Sequence, residues 1–500
     1  MLEMLSFIDI RFILLVFVGS LAGLFVGSVP GLSVSMATAL LVSITYTWST
    51  TDALATIMGV YVVGVFSGAV SAILINIPGA PSSVVTTLDG YPLAHKGESH
   101  KALFYATIYS FIGSVFGLIA LTFLAKPVAN IALKFTPMDY FLLAMFGLST
   151  VGSVTSKNYT KGLMSAALGL AVSMIGLDPI IGTPRMSFGL YDLQSGISTV
   201  PALVGLFGFT EVLSVVYDNN LKQRVSELVK MKINVRETLK HWKLSLYASS
   251  IGTVIGALPG AGGPVAAFIS YNEAKRVIKN PEVAFGKGAV EGIVASEASN
   301  NACIGGALIP MLALAVPGDA VTAILLSVFY VHGLKPGPMF IKENPEMFYV
   351  ILAGGFIACI ALLVLGILVA PRISRVIAIP KNILLPIVTV LCVIGSFACN
   401  NRLFDVVLMF VFGVIGFLMR RYEYPVAPTV LAIVLGGMMD SNFRRAVSLA
   451  SATDNMFKAM FFKPITLVLL TLTISIILSN IPAFKNTFIK AYSKKVKFGA

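Results

Sequence analysis

Three polar clusters interrupt stretches that are otherwise apolar. Gly31-Leu32-Ser33-Val34-Ser35 is followed by Thr38. Asn76-Ile77-Pro78-Gly79 runs into Ala80-Pro81-Ser82-Ser83, with Thr86, Thr87 and Asp89 beyond. Glu291 precedes Glu297-Ala298-Ser299-Asn300-Asn301. Hydroxyls and amides beside helix N-termini suit an anion, because free backbone N–H groups converge there and the helix dipole favours negative charge. Plainer roles compete. Ser, Thr and Gly also line ordinary helix contacts in membranes, and Asp89-Gly90 reads as a loop turn. The Glu297 group is different, since acids and amides inside a membrane are costly and usually functional.

Four Pro-Gly breaks accompany these clusters: Pro30-Gly31, Pro78-Gly79, Pro259-Gly260 and Pro317-Gly318. Proline removes an N–H and stops a helix, and glycine lets the chain turn. In lipid an interrupted helix survives only if it is buried in protein or lines a wet cavity. Carbonyls freed at such breaks can hold Na⁺. The candidate substrate or ion site is therefore Pro30, Gly31, Ser33, Ser35, Asn76, Pro78, Gly79, Pro259, Gly260, Gly262, Glu297, Ser299, Asn300, Asn301, Pro317 and Gly318. No catalytic residue, organic cofactor or dedicated metal site is expected; the suspected coupling ion is Na⁺ or H⁺.

The elements that must position these residues lie in lipid. Of the 500 residues 57% are hydrophobic and 12% charged, against roughly 25% charged in a soluble domain. No charged residue occurs in Phe12–Thr51, Ala53–Leu88, Leu244–Asn272 or Met347–Pro371, and a span needs only about 20 apolar residues. Strand-like alternation is missing. The expected fold is an all-α integral membrane protein with roughly ten to fourteen membrane segments, re-entrant or broken helices included.

The formal net charge is +13. The excess sits in short loops and in a tail carrying Lys485, Lys490, Lys494, Lys495 and Lys497, which places the C-terminus in the cytoplasm. No aromatic-basic interleaving of the nucleic-acid kind occurs. The four cysteines lie in apolar stretches, with neither a CxxC pair nor a Cys/His cluster. HExxH, GxSxG and the P-loop are absent. An intramembrane enzyme using Glu291 or Glu297 would lack a partner group.

A basic connector over 218–243 divides the chain. The expected organisation is a membrane half over 1–217, that connector, a second membrane half over 244–480, and a basic tail over 481–500. Gly27-Ser28-Val29-Pro30-Gly31 matches Gly256-Ala257-Leu258-Pro259-Gly260, and a second Pro-Gly follows in each half. Paired interruptions of this kind point to a transporter site between repeats. The loop after the first break lacks cations in half one but holds Lys275, Arg276, Lys279 and Lys287 in half two. The swap favours an inverted repeat. Leu244–Asn272 lies between two basic regions. At ~1.5 Å per residue its two arms reach only about 20 Å each, short of a ~30 Å core, so a re-entrant hairpin with Pro259-Gly260 at its tip is expected. Half one should hold a similar hairpin with Pro30-Gly31 at its tip.

At these motifs the chain resembles the large membrane subunit of the tripartite tricarboxylate transporter family. The resemblance is carried by Gly27–Leu32, Asn76-Ile77-Pro78-Gly79, Leu88–Ala94 with Lys96-Gly97, and Ile175-Gly176-Leu177-Asp178 with Arg185 and Phe188-Gly189. It continues through Leu258–Gly262, Ser270-Tyr271, Phe285-Gly286, Glu291-Gly292, Glu297–Ala302, Ile309-Pro310, Val316-Pro317-Gly318 and Gly333–Pro338. It implies a small four-helix membrane subunit and a periplasmic solute-binding protein as partners. It also implies import of carboxylates such as citrate across the bacterial inner membrane, driven by an ion gradient. Phe66-Ser67-Gly68-Ala69 stands where the family has Tyr-Gly-Gly-Ser, and Ser33-Val34 where it has Gly-Pro. Both departures fall near the expected site and leave the particular carboxylate open. A channel or exporter for another small solute is the first alternative, and an intramembrane enzyme the second.

Overall fold

The structure, a computed structural model, describes residues 7–29, 32–154, 158–178, 181–217, 238–373 and 381–480. Pro30, Gly31, most of the connector and the basic tail lie outside the described residues. The described chain is helical apart from one hairpin of two-residue strands, β1 (Gly176–Leu177) and β2 (Pro184–Arg185), paired antiparallel. Seven described helices are long and apolar enough to cross a membrane, and four shorter apolar helices accompany them.

In chain order the principal helices are α1 (Ile10–Ser28), α2 (Val34–Ile44), α3 (Thr50–Ile75), α4 (Val84–Leu93), α5 (Ser99–Ala132), α6 (Pro137–Val154) and α7 (Tyr159–Ser173). Then come α8 (Thr199–Tyr217, with a π-helical stretch at Val204–Phe209), α9 (Trp242–Ala257), α10 (Gly262–Val277), α11 (Val290–Leu314) and α12 (Ala320–Val331). The last are α13 (Pro345–Leu368), α14 (Lys381–Asn400), α15 (Leu403–Arg421), α16 (Val426–Ser451) and α17 (Pro464–Asn480). The chain forms two compact units, one of Met1–Ala132 with Ser198–Leu418, the other of Leu133–Ile197 with Met419–Ala500.

The first unit is built on α3 and α11. α3 is apolar or small on nearly every face, α11 sets Glu297, Asn300 and Asn301 among small and apolar residues, and both are enclosed by protein almost throughout. Their neighbours approach through glycine. A Cβ on Gly23 would fall 2.7 Å from the Val60 carbonyl oxygen, and one on Gly27 would fall 2.7 Å from that of Gly64. On the other side, a Cβ on Gly252 or Gly256 of α9 would fall 2.1 or 2.5 Å from the carbonyl oxygen of Ser299 or Cys303. Small residues let backbones touch where dispersion, not water, drives association.

These contacts expose a repeat that is faint in the sequence. Both α3 and α11 end on a left-handed residue, Asn76 (φ 59°) and Ala315 (φ 56°). Beyond it, Gly79 would carry a Cβ 2.1 Å from the Gly27 carbonyl oxygen, and Gly318 one 2.4 Å from that of Gly256. Positions 60, 64, 76 and 79 thus correspond to 299, 303, 315 and 318. Each repeat contains a helix pair (α1 and α2, or α9 and α10), an enclosed helix, a break and a further helix (α4 or α12). The α9–α10 pair is a helical hairpin with Pro259-Gly260 in its turn. Each arm has 16 residues, and the turn between them carries Gly260 and Gly262 at φ 74° and 64°.

One expectation is corrected. Asp89-Gly90 is helical, inside α4, and not a loop turn. Asp89 is fully buried. Its Oδ1 accepts the N–H groups of Gly286, Gly288 and Ala289 at 2.8–2.9 Å, and its Oδ2 accepts the Tyr271 hydroxyl at 2.7 Å. The local Asp-Gly signal is overridden because the carboxylate has four donors waiting, three in the segment that leads into α11 and one, Tyr271, on α10.

The second unit packs α6, α7, α16 and α17. Arg185 of β2 lies between Asp440 (3.1 Å) and Asp178 (3.7 Å), and Arg444 bonds the same two acids at 2.9 and 2.8 Å. Asp139 at the start of α6 accepts the Thr466 hydroxyl at 2.5 Å.

Candidate functional site

A cavity of about 150 Å³ opens inside the first unit where four helix N-termini meet. The start of α2 contributes Ser33, Val34 and Ser35. The helix that opens at Pro81 and continues as α4 contributes Ala80, Pro81 and Ser82. Gly263 and Pro264 come from the start of α10, and Asp319, Ala320 and Val321 from the start of α12. Val65 of α3 and Asn300, Cys303 and Ile304 of α11 complete the wall. In the sequence each of these N-termini comes just after one of the four Pro-Gly pairs, and the positive ends of four helix dipoles border one space.

The polar groups in this wall divide by type. Ser33 caps α2, its Oγ accepting the Met36 N–H at 3.1 Å. Asn300 is 2% exposed and its Nδ2 has no partner, an unusual state for a buried donor. Its Oδ1 lies where a Cβ on Gly263 would come within 2.3 Å, so glycine at 263 makes room for the amide. Asp319 caps α12: its Oδ1 accepts the Thr322 N–H and hydroxyl, each at 2.8 Å, and its Oδ2 accepts the Tyr61 hydroxyl at 2.7 Å. No Lys or Arg lines the cavity among the described residues.

The residues marked out from the sequence fall into three groups. Ser33, Ser35 and Asn300 line the cavity. Pro78, Gly79, Gly262, Pro317 and Gly318 stand one or two residues outside the lining; Pro259 and Gly260 are slightly further back in the same turn, and Asn76 is exposed. Glu297, Ser299 and Asn301 point elsewhere. Glu297 accepts hydrogen bonds from Thr86 Oγ1 and, at 2.9 Å, from Ser110 Oγ. Asn301 Nδ2 donates to Ser110 Oγ at 2.9 Å. Ser299 turns its hydroxyl back to the Ala295 carbonyl at 2.7 Å. Helical geometry explains the split, because each step of one residue rotates a side chain by about 100°.

Asp319 and Tyr61 were not among the residues marked out, and Ser82 stood in the second polar cluster without being placed in the candidate site. An acid directly after Val316-Pro317-Gly318 was a readable signal, since the residue after a break is a natural N-cap. Tyr61 gave none: it is one apolar-flanked tyrosine in a charge-free run, and only the fold brings it to Asp319.

A many-helix bundle with broken helices around an internal cavity that holds a few polar groups is a multi-pass membrane transporter component. The chain belongs to the tripartite tricarboxylate transporter TctA family, whose sequence pattern matches residues 13–431. That family is a transporter family, and its members are membrane components of systems that include other subunits and a binding protein. An uncharacterised 52.8 kDa protein of the TAR-I ttuC′ 3′ region of Agrobacterium vitis is 32% identical over 442 residues, 88% of each chain. A second protein of the same organism, from the TAR-II ttuC′ 3′ region, is 33% identical over 47% of this chain and 96% of its own length. No solved structure matches.

Proposed function

We propose that the chain is the large membrane subunit of a binding-protein-dependent importer in the bacterial inner membrane. It moves an organic anion of the di- or tricarboxylate class together with cations, using the cavity between the four helix N-termini. A small four-helix membrane subunit and a periplasmic solute-binding protein are its partners, and its C-terminus is cytoplasmic. The unpartnered Asn300 amide in a wall of helix N-termini carries this reading. A carboxylate would accept from that amide and from the N–H groups around it.

Charge explains the coupling. Four N-termini supply the equivalent of about +2 at roughly +0.5 each, while Asp319 already faces them. A di- or tricarboxylate adds two or three negative charges with no lysine or arginine to meet them, and unpaired charge in low dielectric is costly. Bound cations or protons must make up the balance.

The test is uptake by proteoliposomes holding the chain and its partner subunits, with labelled citrate, malate and succinate as probes. Accumulation should occur only under an imposed Na⁺ or proton gradient. Undiminished accumulation with both gradients collapsed would overturn coupling. Equilibration without accumulation under any gradient would favour a channel.

A further inference from the structure

The second unit holds a cavity that the transport reading does not use. Its volume is about 260 Å³, and it lies between the start of α6, the last turns of α16 and the short helix Met456–Phe461 that leads into α17. Met138, Ala446, Ala450 and Met460 form a buried floor, and Leu449 an exposed wall. An apolar cavity of ~150 Å³ already takes up benzene, so this one has room for part of an acyl chain. The short helix marks its depth in the bilayer. Phe457 is 65% exposed, and its ring packs on those of Phe461 and Phe462 with centroids 5.0 and 6.1 Å apart. Exposed aromatics beside a lysine, here Lys458, are what a helix presents at the boundary of headgroups and acyl chains.

The mouth of this groove is basic. Lys463 lines it, and Lys134 and Lys458 stand within two residues of the lining. None of the three has an ion pair among the described residues. Of the acids beside these segments, Asp139 is buried and accepts from Thr136 and Thr466, and Asp454 is exposed. With the C-terminus in the cytoplasm, as proposed above, α17 leads from this mouth to the inner face, which puts the mouth on the outer face. Short loops there are ordinarily poor in lysine, so unpaired cations call for an anion supplied by the bilayer. We propose that the groove binds an anionic phospholipid, its phosphodiester at Lys463 and one acyl chain over Met138, Ala446, Ala450 and Met460. The floor takes the chain by apolar burial and the lysines take the headgroup by charge. A zwitterionic lipid fits the floor equally well but leaves the lysines without a net negative partner.

The test is native mass spectrometry of the purified full-length chain released from dodecyl maltoside, reading the affinity of the first bound lipid. The probes are dioctanoyl phosphatidylglycerol and dioctanoyl phosphatidylcholine, which share their chains and differ in charge. Wild type should bind phosphatidylglycerol at least ~tenfold tighter. Lys463→Gln should weaken phosphatidylglycerol ~fivefold, as expected for one lysine at a headgroup, and leave phosphatidylcholine unchanged. Ala459→Leu, which fills the groove, should weaken both lipids. If that variant does not fold, Lys463→Gln carries the test alone, since its side chain is exposed. Lys335→Gln, at an exposed lysine of the first unit, should bind both lipids as wild type does. Equal affinity for the two lipids would overturn the proposal and leave the groove to a protein helix. A preference kept in Lys463→Gln, or lost as far in Lys335→Gln, would overturn it as well. So would binding of glycerol 1-phosphate as tight as that of the whole lipid, because the chain would then contribute nothing.

Discussion

Tyr61 and Asp319 are 258 positions apart in the chain and 2.7 Å apart in the fold. The bond joins the enclosed helix of one repeat to the helix start of the other, at the wall of the cavity. Any motion that opens the cavity by parting the repeats must stretch it. Tyr61→Phe keeps the packing and removes the donor, a loss of about 1.5–3 kcal/mol for a hydrogen bond to a charged group. Membrane levels should stay near wild type while the substrate concentration for half-maximal uptake shifts at least severalfold. An unchanged substrate dependence would reduce the bond to packing.

Gly79 and Gly318 should tolerate no side chain. Each Cβ would meet a backbone carbonyl, at 2.1 and 2.4 Å, and backbone inside a close-packed bundle yields little. Overpacking of this kind costs about 1–3 kcal/mol or more. Gly79→Ala and Gly318→Ala should each lower the thermal unfolding midpoint of the purified chain. Gly437→Ala is the control. It is helical, exposed and meets nothing within 4 Å, so by helix propensity it should be neutral or gain up to about 1 kcal/mol. Equal effects of all three would refute the close-contact account.

Adjacent asparagines should behave differently. Asn300→Ala removes the unpartnered donor from the cavity, and uptake should fall by at least ~tenfold with folding intact, since a ligand bond of about 1.5 kcal/mol is lost. Asn301→Ala instead removes the amide that ties Ser110 to the Glu297 turn. It should lower the unfolding midpoint more than Asn300→Ala does. Normal uptake by Asn300→Ala would remove the amide from the site.

Much of this was legible in the sequence. Charge-free windows marked the helices, and the Pro-Gly pairs marked the breaks, because a break in lipid demands a buried or wet setting. The cluster at 297–301 was legible as polar but not as divided. Periodicity says that Asn300 and Asn301 point in different directions, yet not which direction is the cavity. Asp89 was misread because an Asp-Gly pair has a strong local meaning, while its four donors lie some 180–200 positions away. Tyr61 was unreadable for the same reason. The polar network of Asp178, Arg185, Asp440 and Arg444 also joins distant segments, and only Asp178 and Arg185 were visible as a motif.

Asp89 should be a structural clamp and not a ligand. Replacing it with Asn puts an amide among three backbone N–H groups and trades charge-assisted bonds for weaker ones. The expected loss is about 2–4 kcal/mol. Tyr271→Phe removes one of the four donors and should cost about 1 kcal/mol. Thermal unfolding of the two variants should rank in that order. If the Asp89 variant unfolds with wild type but fails to transport, the residue acts in the transport cycle and the clamp reading is wrong.

The two repeats should face the membrane in opposite directions. Their packing is alike residue by residue, but the loops at the open ends of the two helix pairs are not. The loop before α3 runs through Thr45–Ser49 without a cation, and the loop before α11 follows Lys275 and Arg276 and contains Lys279 and Lys287. Short loops rich in Lys and Arg stay in the cytoplasm. Equivalent points of like-oriented repeats would lie on the same side, so loops of such different charge require one repeat to be turned over. Single cysteines at Thr51 and Lys279 test this, because the four native cysteines are buried and should give little background. An impermeant maleimide added to intact cells should label the first position only, and both after the membrane is opened. Labelling of both positions from outside would place the two loops on one face, and the inversion would have to be given up.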